Sequence, residues 1–163
     1  QHAQLPIHLA CERRSKKGFP IAKRILEEYE LQRLDRDGDG SLPVHLALKA
    51  GNLPLAELLL SHQTQQQCLE ADGAGDTLLH IACRSGNMEA IRVAIAAGCD
   101  DPNIQNAVGR TALHEVAYLG EANLLKIMFK LKANANVHDK VLIFSLPLIL
   151  PAIAKNTSFF CFS

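Results

Sequence analysis

The residues best suited to bind a metal form an acidic, glycine-containing run, Asp35-Arg36-Asp37-Gly38-Asp39-Gly40. Carboxylates at alternate positions before a glycine are typical of the first half of a calcium-binding loop, and Leu42 stands at the apolar eighth position. The twelfth position, which supplies a bidentate glutamate in such loops, is Leu46. Without its strongest ligand, the run does not predict a calcium site.

Two histidine–cysteine pairs have the spacing of metal ligands on one helical face, His8 with Cys11 and His80 with Cys83. Zinc binds both residue types, but four ligands must converge on the ion. Packed helices lie ~8–10 Å apart, so two pairs on neighbouring helices do not easily share one ion. We expect the histidines to bond a neighbouring hairpin and the cysteines to pack against a helix. We predict no metal and no other cofactor.

Charge and motif content disfavour several function classes. Lys plus Arg and Asp plus Glu number 17 each, so no net charge attracts nucleic acid or an anionic membrane. The basic cluster Arg13-Arg14-Ser15-Lys16-Lys17 suits nuclear targeting or an anion contact, but without interleaved aromatic residues it favours a solvated turn. A nucleophile elbow, a phosphate loop and paired carboxylates are absent from the sequence, so we predict neither an enzyme nor a small-molecule substrate.

The cysteines and the first residues indicate the cellular compartment of the chain. Five cysteines are an odd number, and they lack the close spacings of a disulfide framework. A reducing, cytoplasmic setting is therefore expected. The chain opens at Gln1 without a basic and then apolar leader, which predicts a fragment with no secretory signal.

One phrase occurs four times and sets the positions of all these residues. Its histidines are 37, 35 and 34 residues apart, close to the ~33-residue period of one class of helical repeat. The four copies are Leu5-Pro6-Ile7-His8-Leu9-Ala10, Leu42-Pro43-Val44-His45-Leu46-Ala47, Thr77-Leu78-Leu79-His80-Ile81-Ala82 and Thr111-Ala112-Leu113-His114-Glu115-Val116-Ala117.

Each phrase predicts a first helix, a glycine turn and a second helix. Gly51, Gly86 and Gly120 follow three of the histidines by six residues, where a tight turn needs positive φ. Apolar residues at helical spacing come next, and glycine-rich turns precede the following phrase. The apolar series are Leu55, Leu58, Leu59; Ile91, Ala94, Ile95; and Leu124, Ile127, Met128.

From about Gln4 to Lys140, these phrases resemble the ankyrin-repeat family, whose signature is Thr-Pro-Leu-His-x-Ala. The resemblance implies an all-α ankyrin-repeat solenoid, with stacked helix-turn-helix pairs and β-hairpin fingers. We predict repeats over residues 1–140, at about 3–36, 37–71, 72–105 and 106–139, followed by a non-repeat tail at 141–163.

Three departures from the repeat carry further predictions. Gly18 comes ten residues after His8, so the first turn should be longer and solvated. Leu5 and Leu42 replace the threonine that caps a helix, which should loosen those repeats. Glu115 stands where the other phrases have an apolar residue, and its carboxylate should be costly to bury unless it reaches solvent or a partner.

Three runs make a narrower resemblance, to the amino-terminal ankyrin array of no-mechanoreceptor-potential-C (TRPN-type) mechanosensitive channels. They are Gln63-Thr64-Gln65-Gln66-Gln67, Gly75-Asp76-Thr77-Leu78-Leu79-His80 and Leu125-Lys126-Ile127-Met128-Phe129. The resemblance implies an elastic tether on the cytoplasmic side of a membrane channel, with microtubules or neighbouring repeats as protein partners. The alternative is a generic ankyrin adaptor.

The tail after Lys140 lacks the phrase, the glycine and helical periodicity. Its longest apolar run, Val141 to Ala154, contains two prolines and is shorter than the ~20 residues that span a bilayer, so we expect no direct membrane contact. Two interpretations stay open. The tail is translated intron, beginning at the valine codon of Val141, or it is a terminus that covers the last repeat.

Lys49, Arg84 and Tyr118 are the candidate partner-binding residues. Each follows a phrase histidine by four residues, so they should form a stripe at the ends of three first helices. Arginine and tyrosine are frequent anchors of protein interfaces. Replacing all three by alanine is expected to weaken partner binding with little loss of thermal stability.

Overall fold

The computed structural model describes residues 5–12, 18–29, 34–61 and 70–140. Within those ranges the chain forms eight α-helices and no β-strand. In chain order they are α1 (Pro6–Glu12), α2 (Gly18–Glu28), α3 (Pro43–Lys49), α4 (Leu53–Leu60), α5 (Leu78–Arg84), α6 (Met88–Ala96), α7 (Ala112–Leu119) and α8 (Ala122–Lys130).

The helices are arranged as four pairs in a stack. The first helices pack in series, α1 on α3, α3 on α5 and α5 on α7. In the second layer, α2 contacts α4 and α4 contacts α6. Because each pair buries its apolar faces against its neighbours, the stack is a solenoid. The predicted all-α repeat solenoid is confirmed, whereas the four numbered repeat boundaries remain predictions.

The phrase histidine fixes the start of each first helix. Its Nδ1 atom accepts a hydrogen bond from the backbone N–H three residues earlier, which occupies an otherwise unpaired donor at the helix start. The bond is 2.9 to 3.3 Å long in the pairs Leu5–His8, Leu42–His45, Thr77–His80 and Thr111–His114.

The predicted role of threonine as the cap is wrong. Thr77 Oγ1 lies 2.8 Å from His80 Nδ1 and makes no side-chain cap to its helix. The histidine Nδ1 accepts the backbone hydrogen bond in all four phrases. This bond is therefore also present where leucine replaces threonine, at Leu5 and Leu42.

The glycine turns between helices follow the prediction. Gly51, Gly86 and Gly120 have φ angles of +72°, +67° and +72°, in the left-handed region that glycine adopts without strain. Gly18 differs, because it is the first residue of α2 and is buried. Placing it in the turn was wrong, since the additional residues before it displace it into the helix. Those residues, 13–17, lie outside the described part.

The core runs along the stack between the two layers. Ile7, Leu79 and Leu113 from first helices are at most 1% exposed. The predicted apolar series of the second helices face this core, and in each series two residues are buried and one is partly buried. The buried members are Leu55, Leu59, Ile91, Ala94, Leu124 and Met128. The predicted tail at 141–163 lies outside the described residues.

Candidate functional site

Lys49, Arg84 and Tyr118 lie at equivalent places on three first helices that pack in series. Lys49 and Arg84 are the last residues of α3 and α5, and Tyr118 is the next-to-last residue of α7. The Lys49 and Arg84 side chains are 42% and 46% exposed, and Tyr118 is 70% exposed. The stripe therefore presents two cations and an aromatic ring near the fingers.

Lys49 is bound to a buried carboxylate of the next finger. Its Nζ donates to Asp72 Oδ2 at 2.8 Å, and the Asp72 side chain is only 3% exposed. Burial alone would raise the pKa of Asp72, but hydrogen bonds from Lys49 Nζ and from the N–H groups of Asp76 and Ala74 lower it below its usual value. Asp72 is therefore ionised near neutral pH.

Arg84 bridges two buried carboxylates. Nη1 donates to Asp76 Oδ2 at 2.6 Å, while Nε and Nη2 donate to the two oxygens of Glu115 at 3.1 and 2.9 Å. The bonds to Glu115 in particular raise the pKa of Arg84. Such a paired fork is among the strongest charge-assisted arrangements in proteins.

Glu115 thus has the partner that the sequence required of it. Its residue is 5% exposed, yet both oxygens accept from Arg84 of the preceding helix pair. The sequence singles out Arg84 and Glu115 separately and does not show that they pair. The sequence signal is an acidic residue in the fourth phrase together with an arginine at the end of the third first helix, but the repeat pattern does not show that the two positions face each other.

The fingers are hairpin turns built around a repeated polar residue. Asp37, Asp72 and Asn106 each direct one side-chain oxygen at the N–H groups two and four residues later, at 2.8 to 3.2 Å. The N–H of each also bonds the C=O four residues later. Asp37, from the calcium-like run, therefore uses Oδ1 to shape its own turn.

Backbone hydrogen bonds join successive fingers in one register. Gly73 N–H donates to Asp39 C=O at 3.1 Å, Ala107 N–H to Ala74 C=O at 3.0 Å, and Lys140 N–H to Val108 C=O at 2.9 Å. A side-chain bond adds to the second of these contacts, because Asn106 Nδ2 donates to Asp76 Oδ1 at 2.7 Å. The fingers therefore form a continuous edge of the stack.

Three of the four phrase histidines, His8, His45 and His80, connect a first helix to the next finger, as predicted. Since Nδ1 accepts from the backbone, the neutral ring carries its proton on Nε2. Nε2 of His8, His45 and His80 lies 3.0 to 3.1 Å from the carbonyls of Asp35, Glu70 and Arg110. Burial lowers the pKa of His45 to about 4, which keeps this ring neutral near pH 7.

The cysteines of the two His–Cys pairs lie in the core. Cys83 Sγ contacts Met128 Sδ of α8 at 3.8 Å. Burial raises the pKa of the Cys11 and Cys83 thiols to about 12, so both stay protonated near neutral pH. Across residues 5–12, 18–29, 34–61 and 70–140, no group of three or more His, Cys, Asp or Glu side chains is placed to bind a metal ion.

Comparison with known families agrees with this geometry. The family model "Ankyrin repeats (3 copies)" matches residues 65–140. The fold of the described chain is an all-α ankyrin-repeat solenoid, and ankyrin repeats act as protein–protein interaction modules that are generally non-enzymatic. No curated protein matches the chain.

The ankyrin helices are short, at seven to eleven residues. None of the described helices combines the length and apolar character needed to cross a bilayer.

Proposed function

We propose that this ankyrin stack is a segment of the cytoplasmic tether of a TRPN-type mechanosensitive channel and binds protein partners along its finger edge. The tether part rests on the sequence runs at 63–67, 75–80 and 125–129 that resemble those channels. The geometry adds a physical reason, because force along the stack is carried by repeated contacts between neighbours. The three finger-to-finger hydrogen bonds at one register are the observation that carries the proposal.

The partner-binding part rests on the stripe of Lys49, Arg84 and Tyr118. In its ion pairs the cation is the exposed member, since the carboxylates of Asp72, Asp76 and Glu115 are 3% to 6% exposed. A partner approaching this face meets N–H donors and an aromatic ring. Microtubules, by resemblance, are the first partner to test.

The triple alanine replacement is a poor test of this face. Arg84 holds two buried carboxylates, so its removal should also destabilise the fold. Tyr118→Ala is the better variant, because it truncates a side chain that is 70% exposed and leaves the Lys49 and Arg84 ion pairs in place. Arg92→Ala is a matched control on the second-helix layer, where the side chain is 70% exposed.

Microtubule co-sedimentation of the full chain tests the proposal. We expect saturable binding, at least about tenfold weaker for Tyr118→Ala, as for the loss of an aromatic anchor, and unchanged for Arg92→Ala. Equal weakening by both variants would remove the stripe from the binding face. Absence of binding by the unaltered chain would remove microtubules as the partner.

A generic ankyrin adaptor is the second candidate, favoured by the exposed mixture of aromatic and cationic groups on one face. It uses the same stripe for a different protein. The transcript sequence distinguishes the two candidate functions, because only the tether requires further repeats followed by membrane helices in the same transcript.

A further inference from the structure

The two cations of the stripe, Lys49 and Arg84, stand in front of three buried carboxylates, those of Asp72, Asp76 and Glu115. Lys49 neutralises one carboxylate, whereas the single guanidinium of Arg84 faces two. Together the five side chains therefore carry a formal charge of −1. The exposed groups alone would suggest the opposite sign.

The three carboxylates are in their charged form near neutral pH. Burial alone would raise the pKa of Asp76, but hydrogen bonds from Arg84 and Asn106 lower it below its usual value. The pKa of Asp72 is lowered as well. Both oxygens of Glu115 accept from Arg84, which is how an ionised carboxylate bonds a guanidinium.

The other charged residues of the fingers, and of the positions just before them, do not reverse this sign. They include more carboxylates than cations, namely Asp35, Asp37, Asp39, Glu70 and Asp139 against Arg36, Arg110 and Lys140. The finger edge is therefore acidic in net charge, although the formal net charge of the whole chain is zero.

Arg84 offers hydrogen bonds to a partner but no surplus of positive charge. Of the five N–H groups of a guanidinium, three donate to Asp76 and Glu115, which leaves two without a partner among the described residues. A backbone C=O satisfies such a donor without adding charge. A carboxylate from a partner would be the third beside one guanidinium.

Tyr118 is the position where a basic side chain is best stabilised. The residue is 70% exposed, and the face of an aromatic ring attracts a cation. Glu115 lies three residues earlier on α7, so its carboxylate and the ring share one side of the helix. Because the two carboxylates already neutralise Arg84, the ring and the excess negative charge together favour a cation.

We propose that the stripe binds a basic polypeptide segment and disfavours an acidic one. A lysine or arginine of the segment lies over Tyr118, and backbone C=O groups accept from Arg84 and Lys49. This inference rests on the proposed use of the stripe as a partner-binding face. It adds the charge of the partner, which the buried carboxylates determine.

The experiment begins with short random peptides displayed on phage and selected on the full chain. A parallel selection on Tyr118→Ala identifies the peptides whose capture depends on the stripe. Among these peptides we expect lysine and arginine to be enriched, and aspartate and glutamate to be depleted, relative to the unselected library.

One Tyr118-dependent peptide is then synthesised in three forms, with its basic residue unchanged, replaced by alanine or replaced by glutamate. Fluorescence anisotropy measures the Kd of each form for the full chain. We expect Kd to rise at least about threefold with alanine and about tenfold with glutamate. The difference should shrink at high salt, because surface charges are screened.

Glu115→Gln tests the cause, because it removes one buried charge and keeps an oxygen for Arg84. The ratio of the Kd of the glutamate peptide to that of the basic peptide should fall about threefold. Glu57→Gln, at an exposed position of α4, removes the same charge elsewhere and should leave the ratio unchanged. A purely structural effect would weaken both peptides equally.

Three results overturn the inference while the stripe remains a binding face. They are enrichment of acidic residues in the Tyr118-dependent peptides, an unchanged Kd for the glutamate peptide, and equal ratios for Glu115→Gln and Glu57→Gln. If Glu115→Gln fails to fold, the peptide series on the unaltered chain decides alone. If no peptide depends on Tyr118, the proposed binding face itself is wrong, and this inference is wrong with it.

Discussion

At the second junction of the stack, between the pairs α3–α4 and α5–α6, Lys49 reaches one buried carboxylate, Asp72. At the third, between α5–α6 and α7–α8, Arg84 occupies the same register and reaches two, Asp76 and Glu115. The ammonium is a point charge, whereas the guanidinium fork can satisfy two partners with fixed geometry. Equivalent positions of one repeat therefore differ in how firmly they join neighbouring pairs.

The same difference appears on the facing helices. Glu115 lies on α7 at the third junction. The equivalent residue is Ile81 of α5 at the second junction and Leu46 of α3 at the first, between the pairs α1–α2 and α3–α4, and both are buried. The second junction is thus apolar with two ion pairs at its edge, Lys49–Asp72 and the exposed pair Arg36–Glu70. The third junction includes an ion pair within the contact. A buried ion pair is not intrinsically more stabilising than an apolar contact. Removing one of its partners, however, leaves the other charge buried without compensation.

The largest expected effect is that of Arg84→Ala. It leaves the carboxylates of Asp76 and Glu115 buried without their cation, and we expect a loss of about 3–4 kcal/mol in the free energy of unfolding. This is the lower part of the range for broken buried ion pairs, because the Arg84 side chain is 46% exposed. Chemical denaturation of the variant and the parent measures the loss.

The double variant Arg84→Ala with Glu115→Leu tests the cause. Leucine is the residue at this position in the second phrase, and Asp76 keeps its bond from Asn106. The second change should therefore recover a large part of the stability. A loss below about 1 kcal/mol for Arg84→Ala alone would contradict the comparison of the two junctions.

Acid should weaken the second junction through His45. Its pKa is lowered from 6.5 to about 4 by burial, so the unfolded chain binds a proton at higher pH than the folded chain. Stability is therefore complete above pH 6.5 and falls between pH 6.5 and 4. We expect a loss of roughly 2–3 kcal/mol between pH 7 and 4.5, measured by urea unfolding.

His45→Gln should be less stable at pH 7 and should show a flatter pH dependence in this window. His138→Gln, at an exposed position, is the control and should leave the slope unchanged. Asp72 and Asp76 act only at lower pH, because the pKa of each is below its usual value of 3.8. Burial also lowers the pKa of His114, which leaves part of the slope in place in His45→Gln. The same slope in all three proteins would show that His45 is not the source.

Finger glycines should be equally sensitive at the two junctions. A Cβ on Gly75 would lie 2.7 Å from Ala107 N, and one on Gly40 would lie 3.0 Å from Gly73 N. We expect Gly75→Ala and Gly40→Ala each to cost about 2 kcal/mol, from positive φ together with the close contact. Thermal unfolding compares the two variants.

Gly51→Ala provides the matched control for both. Its φ is +72°, but a Cβ there would have no atom within 4 Å. Only the backbone strain remains, and we expect about 1 kcal/mol. If Gly75→Ala were far more costly than Gly40→Ala, the difference between the junctions would extend to the fingers and would not be confined to the cations.

The smallest expected effect is that of Lys49→Ala. Asp72 keeps its two backbone donors, Ala74 N–H at 2.9 Å and Asp76 N–H at 3.0 Å, and the lysine is 42% exposed. We expect a loss of about 1 kcal/mol in the same denaturation assay. A cost equal to that of Arg84→Ala would mean that the two junctions are equivalent.

The stack and its histidines could be predicted from the sequence because their signals are local and repeated. The spacing of His8, His45, His80 and His114 gave the period, and the glycines six residues later gave the turns. Gly18 shows the limit of this reasoning, because a fixed pattern does not reveal whether added residues lengthen a turn or shift a helix start.

The Arg84–Glu115 pair could not be assigned by the repeat pattern, since the residues are 31 positions apart and belong to different repeats. The sequence indicated that Glu115 needed a partner, but choosing it required the facing geometry of α5 and α7. The role of histidine as the helix cap was missed for another reason. Threonine is the better-known capping residue, and the direction of its hydroxyl is fixed only in the folded chain.

The Arg84–Glu115 bond also constrains how this gene can change by recombination. Arrays of this kind lengthen and shorten when whole repeats are copied or lost, and apolar contacts tolerate such exchange well. A fourth repeat copied behind itself would bring a second Glu115 against Tyr118 instead of an arginine, and a lost third repeat would bring Glu115 against Lys49. The third and fourth repeats should therefore be inherited as one block, with crossovers favoured on either side of it.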